Sequence, residues 1–145
     1  MLYLLAQTTG AILGVMTANL MFELPAILPS TKIGTVPAQW LGEFVATFGL
    51  LSVVWGCSRL HKTLVVPFAV AAYITAAYWF TSSTSFANPA VTIARSLSNT
   101  FAGIRPVDVP AFVVVQMFGA LSATMLFRWL VPTVNAEETV ISHEE

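Results

Sequence analysis

The sequence predicts an all-α membrane protein: four transmembrane helices plus one re-entrant half-helix that enters the bilayer without crossing it. Three observations lead there. Charged residues make up 9% of the 145 positions and hydrophobic ones 57%, whereas soluble domains carry roughly 25% charge and a soluble chain this short cannot hide so much apolar surface. Four apolar stretches approach the roughly 20 residues that a helix needs to cross a bilayer. Between the last two lies a polar segment with its own helix-start signal, too short to make a span.

The four stretches run from about Leu2 to Phe22, Ala38 to Cys57, Leu64 to Phe80 and Pro110 to Val131. The first has no basic region before it and no small-residue cleavage site after it, so it is expected to stay in the protein rather than leave as a signal peptide. The link from Glu23 to Pro37 holds Pro25, Pro29, Gly34 and Pro37 and reads as an extended surface loop. Ser58 to Lys62 is a tight basic turn. The chain thus divides into a transmembrane region, 1–132, and an acidic tail, 133–145, with Glu137, Glu138, Glu144 and Glu145. Trp40, Trp55, Trp79 and Trp129 fall near span ends, where interfacial anchoring is the ordinary explanation.

The segment Thr81 to Arg105 fits no span. Asn88 can cap free amides and Pro89 suits the first helical position, so a short helix of about 88–98 is expected to begin there. About ten residues cannot cross a bilayer. Irregular backbone at membrane depth survives only where it is buried in protein or lines a watery cavity, so this half-helix implies a polar path. Arg59, His61 and Lys62 in the basic turn and Arg128 at the end of span four outweigh Lys32 and Arg105 on the other side. That excess predicts both termini in the cytoplasm and the half-helix entering from outside, and an inner-membrane protein is expected.

Several functions are excluded. A net charge of −1 without a basic block gives no footprint for nucleic acid. Cys57 is the only cysteine, so neither an intrachain disulfide nor a cysteine metal site can form, and no cofactor is expected. No histidine lies inside a span and the Ser82–Ser83 pair has no base beside it, so an enzyme is not expected.

An internal repeat relates the first and last spans. Gln7, Gly10, Ala11 and Met16 coincide with Gln116, Gly119, Ala120 and Met125 at a constant offset, and Gly14 falls opposite Ala123. Small residues four apart also serve helix packing in lipid, so packing alone is a second source of the pattern. The shared glutamine argues for a true repeat, since an amide inside a span is costly unless it finds a polar partner.

The stretch Ser85-Phe86-Ala87-Asn88-Pro89-Ala90-Val91-Thr92 resembles the Asn-Pro-Ala loop of the aquaporin, or major intrinsic protein, family. Glu43-Phe44-Val45-Ala46-Thr47 is similar to the family's Glu-x-x-x-Thr helix, whose buried carboxylate braces that loop; the alternative is a packed acid without a role. The resemblance spans about Leu2 to Val131 and implies a partial aquaporin-like fold, comprising the third helix of the first repeat and all of the second. Two spans, one half-helix and a first Asn-Pro-Ala have no counterpart. A complete pore would then need another copy, a complementary half-channel subunit, or the rest of a longer chain.

The resemblance implies a passive channel in the lipid bilayer for small neutral solutes. Asn88 would donate to a passing oxygen, Pro89 pre-set the helix and Ala90 pack against an opposing loop, with Glu43, Gln116 and Gln7 bracing the loops and Ser85 among the residues offering carbonyls. Most aquaporins carry an arginine directly after the second Asn-Pro-Ala, whereas this sequence has Val91, as in bacterial aquaglyceroporin-like members. The resemblance therefore implies a wider, more apolar constriction, suited to glycerol, urea or metalloid acids such as arsenite, with water as co-permeant. Alignment with the family puts an outer-filter residue near Ala76, with Thr75 or Tyr78 as alternatives. Arg95 lies one turn beyond Val91 on the same face. It either projects a displaced filter charge toward the pore mouth or neutralises the half-helix end, alone or by pairing with Asp108. The rival to a channel is a non-conducting truncated subunit with an assembly role.

Overall fold

The computed structural model describes residues 1–59 and 63–130. The basic turn's His61 and Lys62, the end of span four and the acidic tail lie outside the described residues. Among the described residues five α-helices form: α1 (Leu2–Met21), α2 (Pro37–Arg59), α3 (Val66–Phe80), α4 (Pro89–Arg95) and α5 (Val109–Leu130). Single 3-10 turns, Thr63–Val65 and Pro106–Asp108, lead into α3 and α5. The same residues contain no strands.

Three of the described helices are long and apolar enough to cross a membrane: Leu2–Met21, Pro37–Arg59 and Pro106–Leu130, the last including its 3-10 turn. The stretch expected to be the third span is shorter as an α-helix, at 15 residues. Proline near its start explains this, because Pro67 can sit only in the first turn and lacks the amide an upstream helix would need. An α-helix of that length rises about 22 Å and the 3-10 turn adds about 6 Å, close to the roughly 30 Å of a hydrocarbon core.

Side-chain contacts fix the directions. Glu43 meets Gln116 near the starts of α2 and α5, and Trp55 Nε1 donates to Thr124 Oγ1 at 3.3 Å near their ends, so these two helices run parallel. Ser82, beyond the end of α3, donates to Ala38 O at 2.7 Å, which makes α3 antiparallel to α2. The end of α1 lies beside the end of α4 through Asn19 and Leu97 (3.0 Å). Arg59 and Arg128 therefore share one end of the bundle, and Lys32 and Arg105 the other. The α2–α5 seam depends on Gly119, where an added Cβ would lie 2.7 Å from Phe44 O. Its repeat counterpart Gly10 has nothing within 4 Å of the same position, nor does Gly14. Only 6% of the apolar window of α1 is buried.

The tryptophans do not all act as interfacial anchors. Trp79 and Trp129 are exposed, but Trp40 packs against the buried cluster of Phe86, Ile104 and Phe112. Trp55 bonds to Thr124 and carries the Arg59 guanidinium 5.5 Å from its ring centre. Nearness to a span end did not separate the two kinds, because a helix end faces its neighbours as well as the interface.

Candidate pore-lining site

The segment after α3 is held open by side chains rather than by regular structure. Thr81 Oγ1 donates to Ala77 O at the helix end and lies 2.7 Å from Ser85 Oγ. Ser83 Oγ accepts from Ser85 N at 3.3 Å. Thr84, Ser85 and Ala87 all adopt left-handed backbone, with φ of 65°, 50° and 48°. Such conformations cost non-glycine residues about 1–3 kcal/mol each and persist only where the surroundings over-determine them.

Glu43 is what over-determines them. It is fully buried on α2, and its Oε1 accepts from Phe86 N at 2.8 Å while Oε2 accepts from Ala87 N at 2.9 Å. Successive amides turned inward form a concavity suited to an anionic oxygen, and the carboxyl of Glu43 fills it. Gly42 lets the loop approach, since a Cβ there would sit 3.1 Å from both Ser82 Oγ and Ser83 Oγ. Because a trans peptide unit is planar with N–H and C=O opposed, and none here is cis, the carbonyls of Ser85 and Phe86 point away from Glu43.

Gln116 on α5 completes the brace. Its Nε2 donates to Glu43 Oε2 at 2.6 Å and to Thr92 Oγ1 at 2.8 Å, and Thr92 Oγ1 donates onward to Asn88 O at 2.9 Å. Thr92 is fully buried, and its place in the brace is not evident from the residue pattern alone. A signal was nonetheless available, since a hydroxyl four residues after a helix cap can return to the cap's carbonyl. Gln7, the repeat counterpart of Gln116, is half-exposed on α1.

Asn88 caps α4: its Oδ1 accepts from Ala90 N at 2.8 Å, with extended backbone at φ −158°. Pro89 opens the helix and Ala90 is buried. The cap occupies Oδ1, while Nδ2 has no protein partner among the described residues. Val91 is half-buried and packs on the Phe86–Phe112 cluster. Ser85 is buried, its hydroxyl turned to Thr81. The half-helix is shorter than the 88–98 expected, with α4 ending at Arg95 and giving way to a turn. Leu28 N donates to Leu97 O at 3.0 Å and Ser30 N to Ser96 O at 2.9 Å, so the long loop straps the exit of α4. Asn19 locks the same exit, with Ser98 Oγ donating to its Oδ1 at 2.7 Å.

Arg95 does not pair with Asp108. That carboxylate accepts from Arg105 Nε at 2.9 Å and from Gly34 N at 2.7 Å. The hydrogen bond to Asp108 also raises the Arg105 guanidinium above its ordinary range. Arg95 instead lines a cavity of about 490 Å³ together with Asn19, Tyr78, Ser98 and Phe101. Of the three candidate filter positions on α3, Ala76 and Thr75 are exposed and only Tyr78 lines this cavity. No group of acidic, histidine or cysteine side chains able to hold a metal occurs among the described residues.

No family model matches the chain, and no solved structure does. A curated relative does: the aquaglyceroporin AqpS of Rhizobium meliloti (strain 1021) is 56% identical over 128 residues, which are 88% of this chain and 54% of the relative. The chain thus spans about half the length of the curated relative it matches. Apolar helices of spanning length and an identity of 56% together establish that the chain is an integral membrane protein of the aquaporin, or major intrinsic protein, family.

Proposed function

We propose that the chain forms half of the wall of a passive channel for small uncharged solutes: glycerol, urea, neutral metalloid acids such as arsenite, and water. The observation that carries this reading is the grip of Glu43 on the Phe86 and Ala87 amides. It turns the Ser85 and Phe86 carbonyls the other way as acceptors, one residue from an Asn88 amide whose donors are unspent. Acceptors and donors in series replace a neutral solute's water hydrogen bonds, while ions, which lose more hydration, gain no compensating charge. The name of the curated relative, an aquaglyceroporin, agrees with solutes larger than water. Val91, where most of the family has arginine, leaves the narrowest region wide and apolar.

The remaining wall comes from a further half of matching chemistry, whether another copy, a separate subunit or additional chain. Support lies in α1. Gly10 and Gly14 open onto nothing, whereas Gly119, the repeat partner of Gly10, is pressed against α2. Half-exposed Gln7 would brace the second loop as Gln116 braces the first. We further propose the inner membrane as the location, with the Arg59 and Arg128 end in the cytoplasm. The same open face of α1 favours the rival reading, a non-conducting subunit that only packs against other membrane proteins.

Proteoliposomes containing the purified full chain decide between them. Glycerol uptake well above that of protein-free vesicles is expected. Uptake indistinguishable from empty vesicles, with the protein inserted, leaves the non-conducting reading standing.

A further inference from the structure

The cavity at the end of α4 is lined by Arg95, which makes no salt bridge among the described residues. It lies between the outer ends of α1 and α3 and the exit of the half-helix, with a volume of about 490 Å³. No described aspartate or glutamate lines it. Asp108 is bound to Arg105 and Gly34, and Glu23, exposed between the lining residues Phe22 and Leu24, makes no salt bridge to Arg95. The Asn19 amide beside Arg95 is already committed. Asn19 Nδ2 donates to Ala26 O at 3.1 Å and to Leu97 O at 3.0 Å, and Asn19 Oδ1 is taken by Ser98. The far wall is aromatic, with Tyr78 and Phe101 edge to face at 6.0 Å. Arg95 therefore presents guanidinium donors to open space, from a helix on which side chains lean back toward the N-terminus and so toward Val91.

We propose that Arg95 is a specificity-determining residue of the vestibule, excluding small cations by its charge. This rests on the channel reading above. A cation passing about 6 Å from a fixed guanidinium, in surroundings with an effective dielectric constant of about 20, is disfavoured about 100-fold by Coulomb repulsion. A neutral solute meets no such barrier. Position matters as much as charge. Arg95 stands one helical turn, about 6 Å, beyond Val91, so it guards the entrance without filling the constriction, and a wide apolar filter can still reject ions.

The test uses the full chain in proteoliposomes, with methylammonium and glycerol as probes. Arg95→Gln removes the charge at similar length and is expected to pass methylammonium about 10- to 100-fold faster than the native protein, with glycerol flux of the same order. Arg95→Lys keeps the charge and is expected to exclude methylammonium as the native protein does, a rescue that a packing role would not produce. Should Arg95→Gln fail to accumulate in membranes, Thr100→Glu brings a carboxylate to the same cavity, which Thr100 also lines, and is expected to raise methylammonium passage likewise. Unchanged cation exclusion in the neutralised variant, with glycerol flux intact, overturns the proposal and leaves the channel reading standing. A native protein that passes no glycerol removes the proposal together with the reading of a channel built from copies of this chain alone.

Discussion

Glu43 shows how one side chain organises a loop that has no regular hydrogen bonds of its own. It accepts from two backbone amides and from Gln116, each within 2.9 Å. Removing it strands those donors in a buried site, at about 1–3 kcal/mol per unpaired group. Glu43→Ala is expected to lower thermal stability in detergent markedly, and Glu43→Gln to lower it less, because an amide keeps one acceptor but turns its NH2 toward donors. Equal melting temperatures for the native protein and both variants would show that the loop stands without its brace. A carboxylate inside an apolar run is visible in sequence, and so is a mid-span glutamine. Their partners are not, because the Phe86 and Ala87 amides are backbone and carry no sequence signal. Thr92 and Asn19 were equally hidden, one looking like an ordinary helix hydroxyl and the other like the polar end of a span. The link from Arg95 to Asp108 failed for a local reason: Arg105, three residues before Asp108, reaches that carboxylate first.

At the level of elements, apolar length was a good guide to which segments become helices and a poorer one to where they begin. Pro67 trims the third stretch, and the half-helix stops at Arg95 because the long loop takes over the carbonyls of Ser96 and Leu97. The repeat between α1 and α5 carries the most testable consequence. Gly119 touches α2 backbone, so Gly119→Leu must push two helices apart, an overpacking that costs about 1–3 kcal/mol or more. Gly10→Leu meets nothing within 4 Å. It is expected to leave the melting temperature of the isolated chain unchanged while abolishing solute flux, by blocking the seat of the second half. Flux that survives Gly10→Leu would mean that this face of α1 carries no partner.

The whole molecule joins a bundle of apolar helices to a loop rich in polar groups, which the proposed channel would turn toward a wet path. Composition made the membrane legible at once; the capped short helix was legible through Asn88 and Pro89, and the proposal of a pore rests on it, since no single residue type marks a channel. In the proposed channel, the side chain directly after Ala90 would set the width of the constriction. Val91→Arg restores bulk and charge there and is expected to cut glycerol flux about tenfold or more, about 1.4 kcal/mol or more in barrier, while sparing water. Equal losses of both fluxes would point to damage rather than to a filter. The most direct test of the central claim is the wetness of the half-helix itself. In a Cys57→Ser background, cysteine placed at Val91 or at Phe118, which is 60% exposed on α5, is treated from the outer face with a membrane-impermeant thiol reagent. The account predicts that the Val91 cysteine reacts and is shielded by glycerol, while the Phe118 cysteine stays inert in lipid. An unreactive cysteine at Val91, or equal reaction at both positions, would contradict it.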